Sequence, residues 1–175
     1  MGAGIERCAV AGTWWRHIRH GMEPLVRLDP PPSCRWQRGA VVEATYFADE
    51  PATAWAEWYR LLSEAAIPPM RSMPRDLWRW NIDAGAVADL SSVEKLRDAH
   101  LPAPLPRQSS WKPFQECGEK LHANGFRGIL APSAVRPTHR ILCLFRTGGA
   151  VVGAEPVAPP EIFHEPPAPP PGMTT

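Results

Sequence analysis

The stretch that decides the fold is Val41-Val42-Glu43-Ala44-Thr45-Tyr46-Phe47-Ala48, followed by Asp49-Glu50-Pro51 and the run from Ala52 to Ala66. Residues 41–48 are rich in β-branched and aromatic side chains, which fit a pleated, half-buried strand. Two acids and a proline then mark a helix start. Proline at the first helical position forfeits no intrahelical bond, and acids favour the positive end of the helix dipole. Ala54, Trp55, Trp58, Leu61, Leu62 and Ala65 recur at helical spacing and predict an amphipathic helix over about 51–66. Pro68 and Pro69 end it. Glu57 falls beside the apolar stripe, over the flank of Ala54 and Leu61, so its carboxylate belongs on the rim between core and solvent.

Working outward, residues 1–12 are small and mixed and read as a flexible N-terminus. Thr13 to Arg19 alternates bulky and polar residues as a strand does, with Trp15 and His17 on one face and Trp14 and Arg16 on the other. Pro30-Pro31-Pro32-Ser33 is a rigid connector. Further strands are predicted at Leu77–Ile82, Gly128–Ala131 and His139–Phe145. A capped helix start lies at Ser91 to Glu94, a proline-broken loop over 101–110, and a helix from Pro113 to about Ala123, stopped by Asn124-Gly125. Residues 156–172 hold eight prolines and read as part of an extended, disordered tail over 155–175. The folded domain is thus expected over 13–154. Strands and short helices follow one another without regular βαβ alternation, so the fold class is α+β.

The charge pattern excludes some functions and suggests one. A net charge of +1 gives no bulk electrostatic case for binding nucleic acid or a membrane surface. Every Lys and Arg lies at or before Arg146, which leaves the folded part mildly basic and suited to an anionic small molecule. The four cysteines, Cys8, Cys34, Cys117 and Cys143, form no CxxC pair and no Cys-His spacing of a zinc site, so no metal is expected. No signal peptide and no membrane-spanning run is evident, and the expected compartment is the reducing cytoplasm. There is no phosphate-binding glycine loop and no GxSxG elbow.

Five polar residues sit in apolar or aromatic frames: Arg16, Arg35, Tyr46, Glu57 and Ser133. Such residues tend to lie at a core edge, where a pocket can use them. Two guanidiniums, an aromatic ring, a carboxylate and a hydroxyl suit a ligand bearing phosphates and rings. His17, His20, His122 and His139 have no triad or metal spacing and read as structural.

In order and framing these residues resemble the RES domain, the toxin half of a bacterial toxin–antitoxin system. The resemblance spans about Thr13 to Arg146. It rests on Arg16, on Cys34-Arg35-Trp36 followed by Gly39, and on Tyr46-Phe47-Ala48. Ala54-Trp55-Ala56-Glu57, the helix segment Gln115 to Gly118, and Pro132 to Val135 complete it. It implies an ADP-ribosyltransferase-like fold, a small twisted mixed β-core with helices around an NAD+ cleft. It implies NAD+ as substrate, cleaved at the nicotinamide–ribose bond by hydrolysis or phosphorolysis, and an Xre-type antitoxin as partner. By that resemblance Glu57, Arg16 and Ser133 are catalytic, while Arg35 and Tyr46 bind substrate. Arg16 and Arg35 would hold the diphosphate, Tyr46 the nicotinamide ribose, and Ser133 the ribose or the amide. Two other classes stay open: ADP-ribose transfer to a protein or nucleotide, and a catalytically inactive binding module. Cys34 stands where the family has glycine, and the chain is unusually aromatic around Trp14, Trp15, Trp55 and Trp58.

Overall fold

The computed structural model describes residues 4–174. Among these, the strands are β1 (Arg7–Arg19), β2 (Ala44–Ala48), β3 (Arg75–Asp89), β4 (Gly128–Pro132), β5 (Arg140–Phe145) and β6 (Ala154–Phe163). The helices are α1 (Pro51–Glu64), α2 (Val93–Asp98) and α3 (Lys112–Ala123). They build one mixed sheet of order β1-β2-β5-β4-β3-β6, in which β1 also pairs with β3. The α+β expectation is met.

β1 and β3 form the spine, antiparallel from Arg7↔Ala88 to Arg19↔Arg75. On its other edge β3 carries two neighbours in succession. β6 pairs antiparallel with its first half, and β4 pairs parallel with its last residues, Val87 to Asp89. β5 lies antiparallel between β4 and β2. The ring closes through one pair, Trp15↔Ala48, between β1 and β2. Continuing that antiparallel register would set Arg16 to Arg19 beside residues 44–47, but among the described residues no ladder forms there. The two strands part, and the gap is where the cavity lies.

Alternation along the strands sends Val10, Trp14, Trp80, Ile82, Phe47, Leu142 and Leu144 into one core. Leu90, Leu96, Phe114, Ile129 and Cys143 form another beneath α2 and α3. A third cluster, Trp55, Trp58, Leu62 and Leu77, fixes α1 to β3, with Phe163 of β6 packed against it. Burial of a side chain as large as the wholly enclosed Trp80 stabilises the fold by about 3 kcal/mol.

Several boundaries differ from the sequence reading. Of the N-terminus expected to be flexible, residues 1–3 lie outside the described residues, while Arg7 onward is strand, because Cys8 to Gly12 complete the β3 ladder. Strand β2 starts at Ala44 rather than 41, since the amides of Val41 and Val42 turn back to the Arg38 carbonyl. Helix α1 ends at Glu64; its Leu61, and Ala65 just beyond it, are exposed, while Trp55, Trp58 and Leu62 carry the contact. Ser92, not Ser91, caps α2 by accepting from the Lys95 amide at 3.2 Å.

The main correction concerns the proline-rich tail. Residues 154–163 form β6 and pair with β3 from Ile82↔Ala154 to Arg75↔Phe163. An edge strand tolerates proline, because only the amides facing its single neighbour must donate. Pro159 and Pro160 coincide with the register shift opposite Leu77 to Arg79, where the ladder is already interrupted. Beyond Phe163 the chain lies along α1, where the Tyr59 hydroxyl donates to the Pro167 carbonyl, and reaches the Val135 carbonyl through the Thr174 amide at 2.8 Å. Among the described residues no helix is long and apolar enough to cross a membrane.

Candidate active site

The gap between β1 and β2, roofed by α1, holds a cavity of about 290 Å³. Four of the five residues singled out from the sequence line it: Arg16, Arg35, Tyr46 and Glu57. Its remaining wall includes His17, Trp58, Arg60 and Arg75. Because the cavity sits at the uncovered edge of β1, residues from both faces of that strand reach it. This explains how Arg16 and His17, adjacent in sequence, share it. Arg60 also borders a wider cleft of about 770 Å³, between α1, residues 106–109 and the C-terminal prolines.

Glu57 occupies the rim position that the helical spacing predicts. Ser133 is completely buried and donates its hydroxyl to Glu57 Oε1 at 2.7 Å. Ser133 Oγ itself accepts from the amides of Val135 at 3.3 Å and Arg136 at 3.1 Å, a serine turn at the end of β4. Arg136 in turn binds Glu50 and donates to Thr53 Oγ1 at 3.0 Å, tying this turn to the start of α1. Ser133 is therefore a positioning residue for the carboxylate. On the other side, Arg60 Nε stands 3.4 Å from Glu57 Oε2, one helical turn along. Glu57 is thus held from both sides while its side chain stays 23% accessible.

Arg35 sits in a loop held by long-range contacts. Its Nη2 donates to the Leu105 carbonyl at 2.6 Å, and the guanidinium lies 5.3 Å from the Phe114 ring centre. Burial lowers its pKa to about 10, and the Glu57 charge partly offsets that. The loop itself is fastened by Tyr46, whose hydroxyl donates to Gln37 Oε1 at 2.5 Å and accepts from the Trp36 amide at 3.1 Å. From α3, Gln115 donates to the Cys34 carbonyl at 2.8 Å, and Glu119 accepts from the Arg38 amide at 3.0 Å. Gly118 lets the helix backbone touch the loop: a Cβ there would lie 1.9 Å from the Trp36 carbonyl oxygen. The Gln115-to-Gly118 segment thus serves the site indirectly, by fixing Arg35. The Tyr46 hydroxyl is committed to the same task and is not free for a ribose. Burial raises the pKa of Cys34, which keeps its thiol neutral and unreactive.

Arg16 donates from Nη1 to the Pro24 carbonyl at 2.9 Å and pairs with no carboxylate among the described residues. Burial brings its pKa down to about 10, and the charges of Arg146 and Arg75 add to the shift. His17, read from sequence as structural, belongs to the site wall. It stacks on Trp55 with ring centres 4.2 Å apart, bonds to the Ala54 carbonyl through Nε2 at 3.2 Å, and receives Arg75 Nε at Nδ1 at 2.7 Å. Burial, reinforced by Arg75, holds its pKa near 3, so the ring is neutral at physiological pH. Sequence reasoning missed Arg60, Arg75 and His17 as cavity residues. The one available signal was the strand alternation that sets His17 beside Trp15. Among the described residues no cluster of His, Cys, Asp or Glu could hold a metal ion.

Residues 13–164 match the family model of the RES domain. No curated protein matches. Among solved structures, a chain in the crystal structure of the M. tuberculosis MbcT–MbcA toxin–antitoxin complex is similar in fold, with a TM-score of 0.70 over 86% of each chain at 16% identity.

Proposed function

The chain belongs to the RES domain family, and on that premise we propose that it is a toxin-type enzyme that breaks the nicotinamide–ribose bond of NAD+. The observation that carries this reading is the Glu57 carboxylate. It is fixed by the buried Ser133 hydroxyl at 2.7 Å and faces a cavity in which two guanidiniums, Arg16 and Arg75, lack carboxylate partners among the described residues. In the reaction the C1′–N bond breaks and its electron pair leaves with the ring nitrogen, releasing neutral nicotinamide. Positive charge then develops on the ribose as an oxocarbenium-like state. A carboxylate held beside that carbon stabilises the charge as it forms and needs no reorganisation, because Ser133 and Arg60 already fix it. Water or inorganic phosphate adds to C1′ and gives ADP-ribose or its 1″-phosphate; water gives up a proton on adding. Arg16 and Arg35 supply fixed positive charge for the diphosphate. Room for the rest of a dinucleotide exists in the wider cleft that Arg60 borders.

The reading includes an antitoxin of the Xre type as partner, and the toxin–antitoxin complex of similar fold supports it. The test is nicotinamide release from NAD+ by purified protein, with and without phosphate, beside Glu57→Gln. Release that falls about 100-fold or more in the variant supports the reading, and dependence on phosphate names the acceptor. Equal release by a folded Glu57→Gln protein overturns the role of Glu57. Absence of release under both conditions overturns the reading.

A further inference from the structure

Arg75 is the guanidinium of the cavity that no sequence motif and no family assignment explains. It opens β3, in register with Arg19 and diagonal to His17 across the β1–β3 ladder. Its Nε is used, donating to His17 Nδ1 at 2.7 Å. Its two terminal nitrogens have no acceptor among the described residues, and neither is sealed from solvent. No carboxylate neutralises it among the described residues, although Asp76 is its neighbour in sequence. That carboxylate is already taken by His20 at 2.6 Å and by the Gly21 amide at 3.0 Å. The guanidinium lies 5.7 Å from the Trp58 ring centre, so one side of its plane is backed by an aromatic surface.

A largely buried cation without a counter-ion is costly, and an anion seated against its free nitrogens would offset that cost through charge-assisted hydrogen bonds. Arg75 is mostly buried and its pKa is brought down to about 10 by that burial, with Arg19 adding to it. It remains fully charged at neutral pH. Arg16, in the same cavity, feels the Arg75 charge and is likewise without a carboxylate. Arg35 differs: its Nη2 is taken by the Leu105 carbonyl and its charge faces Glu57. Of the cavity's guanidiniums, Arg16 and Arg75 are therefore the pair with unspent charge.

His17 explains how Arg75 is aimed. Its ring is clamped by the stack on Trp55 and by the Ala54 carbonyl, which requires the proton on Nε2 and leaves Nδ1 a bare acceptor. Nδ1 accepts from Nε of Arg75 at 2.7 Å, which fixes the guanidinium by its inner nitrogen and leaves the outer two without an acceptor among the described residues. The neutral ring adds no competing charge.

We propose that Arg75, held by His17, binds a phosphoryl group in the cavity together with Arg16, and so sets which phosphate-bearing molecules the site accepts. The proposal rests on the function inferred above only for the identity of the substrate. The anion itself is either the diphosphate of the dinucleotide or free inorganic phosphate. His17 is a positioning residue: it touches Arg75 and not the anion.

The test is calorimetric binding of ADP-ribose, inorganic phosphate and nicotinamide riboside to the full chain, with Arg75→Gln, Arg75→Lys and His17→Phe. Loss of a charged fork bond should weaken ADP-ribose binding about 10-fold or more in Arg75→Gln, with a smaller loss in Arg75→Lys. Binding of nicotinamide riboside, which carries no phosphate, should be unchanged. His17→Phe keeps the stack on Trp55 but removes the acceptor, and should weaken ADP-ribose in the same sense. His17→Asn, which restores an acceptor near the position of Nδ1, should recover part of the loss. In turnover, Arg75→Gln should raise KM for NAD+ more than it lowers kcat. Phosphate that competes with ADP-ribose identifies the diphosphate subsite, and phosphate that binds beside it identifies an acceptor subsite. Folded Arg75→Gln and Arg75→Lys proteins that bind ADP-ribose and phosphate as the parent does overturn the proposal. So does an equal loss of nicotinamide riboside binding, because that is a structural effect. If the parent binds phosphate through Arg75 yet releases no nicotinamide, the proposed function fails and this inference stands.

Discussion

Arg75 and Arg35 bring the same chemical group to one cavity and are held there by different means. Arg75 rises from a strand whose position is set by the β1 ladder, and a single side-chain bond, to His17, aims it. Arg35 stands in a loop between the proline connector and β2, and its position depends on contacts from residues far away in sequence: Tyr46, Gln115, Gly118 and Glu119. A strand residue inherits precision from backbone pairing. A loop residue needs buried side-chain bonds to reach comparable precision, so the loop wall should be the more fragile to substitution.

The sharpest way to break the comparison is Gly118→Ala. The added Cβ would sit 1.9 Å from the Trp36 carbonyl oxygen and 3.0 Å from its carbon, both backbone atoms that cannot swing away. Helix and loop must separate. The expected cost is about 3 kcal/mol of stability, seen as a lower midpoint in denaturant, together with loss of whatever depends on Arg35. A midpoint unchanged within error would mean that the loop is not clamped by α3.

The strand wall has its own weakness, which is acid. His17 is held near pKa 3 in the folded protein, against 6.5 for a free histidine, because burial and Arg75 disfavour its charged form. The unfolded chain therefore takes up a proton below about 6.5 that the folded one refuses. The associated stability is fully present above pH 6.5 and is lost as pH falls towards 3. Each pH unit within that window removes about 1.4 kcal/mol, so lowering the pH from 6.5 to 4.5 should cost roughly 2 to 3 kcal/mol. The check is the difference between the protein and His17→Asn in Tm against pH. The parent's Tm should fall more steeply in acid than the variant's, and parallel curves would remove His17 as the cause.

Tyr46→Phe comes next in size and acts on the loop wall. It keeps the ring but strips the hydroxyl, leaving the Trp36 amide without its acceptor and Gln37 Oε1, in a residue only 1% exposed, without its donor. Such a loss costs about 2 kcal/mol. If Tyr46 acts only through the loop, the variant should bind ADP-ribose more weakly in proportion to the displacement of Arg35. Adding Arg35→Gln should then cost less in the variant than in the parent, a coupling read from a double-mutant cycle. Full additivity would instead indicate direct contact of Tyr46 with the ligand.

How legible each wall was in the sequence follows from the same contrast. Helix α1 and the rim position of Glu57 were readable, because helical periodicity is local and residues 54, 57 and 61 share a flank by geometry alone. Arg16 and Arg35 stood out by framing. What Tyr46, Gln115 and Ser133 do was not readable. Their partners lie 9 or 10, 81 and 76 residues away in the chain, and no local pattern encodes such distances. His17 and Arg75 lie on neighbouring strands 58 residues apart, and only the β1–β3 register makes them a pair. Strand β6 was hidden for a different reason. Proline density argues against a central strand, but it does not argue against an edge strand with a register shift at Pro159-Pro160.

The smallest expected effect lies where the chain leaves β6 and runs along α1. Tyr59 donates its hydroxyl to the Pro167 carbonyl, and Thr174 meets the residues after Ser133, with its amide 2.8 Å from the Val135 carbonyl and its Oγ1 3.1 Å from that of Ala134. Ala134 lines the cavity, so at Thr174 this segment runs beside the site. Tyr59→Phe removes one hydrogen bond at a partly exposed position and should cost about 1 kcal/mol or less of global stability. It should act locally instead: hydrogen exchange of the Thr174 amide should quicken while the amides of the β1–β3 ladder keep their protection. Equal acceleration in the ladder would mean that the tail is part of the core's cooperative unit. An unchanged Thr174 amide would mean that its bonds after Ser133 hold the segment without help from α1.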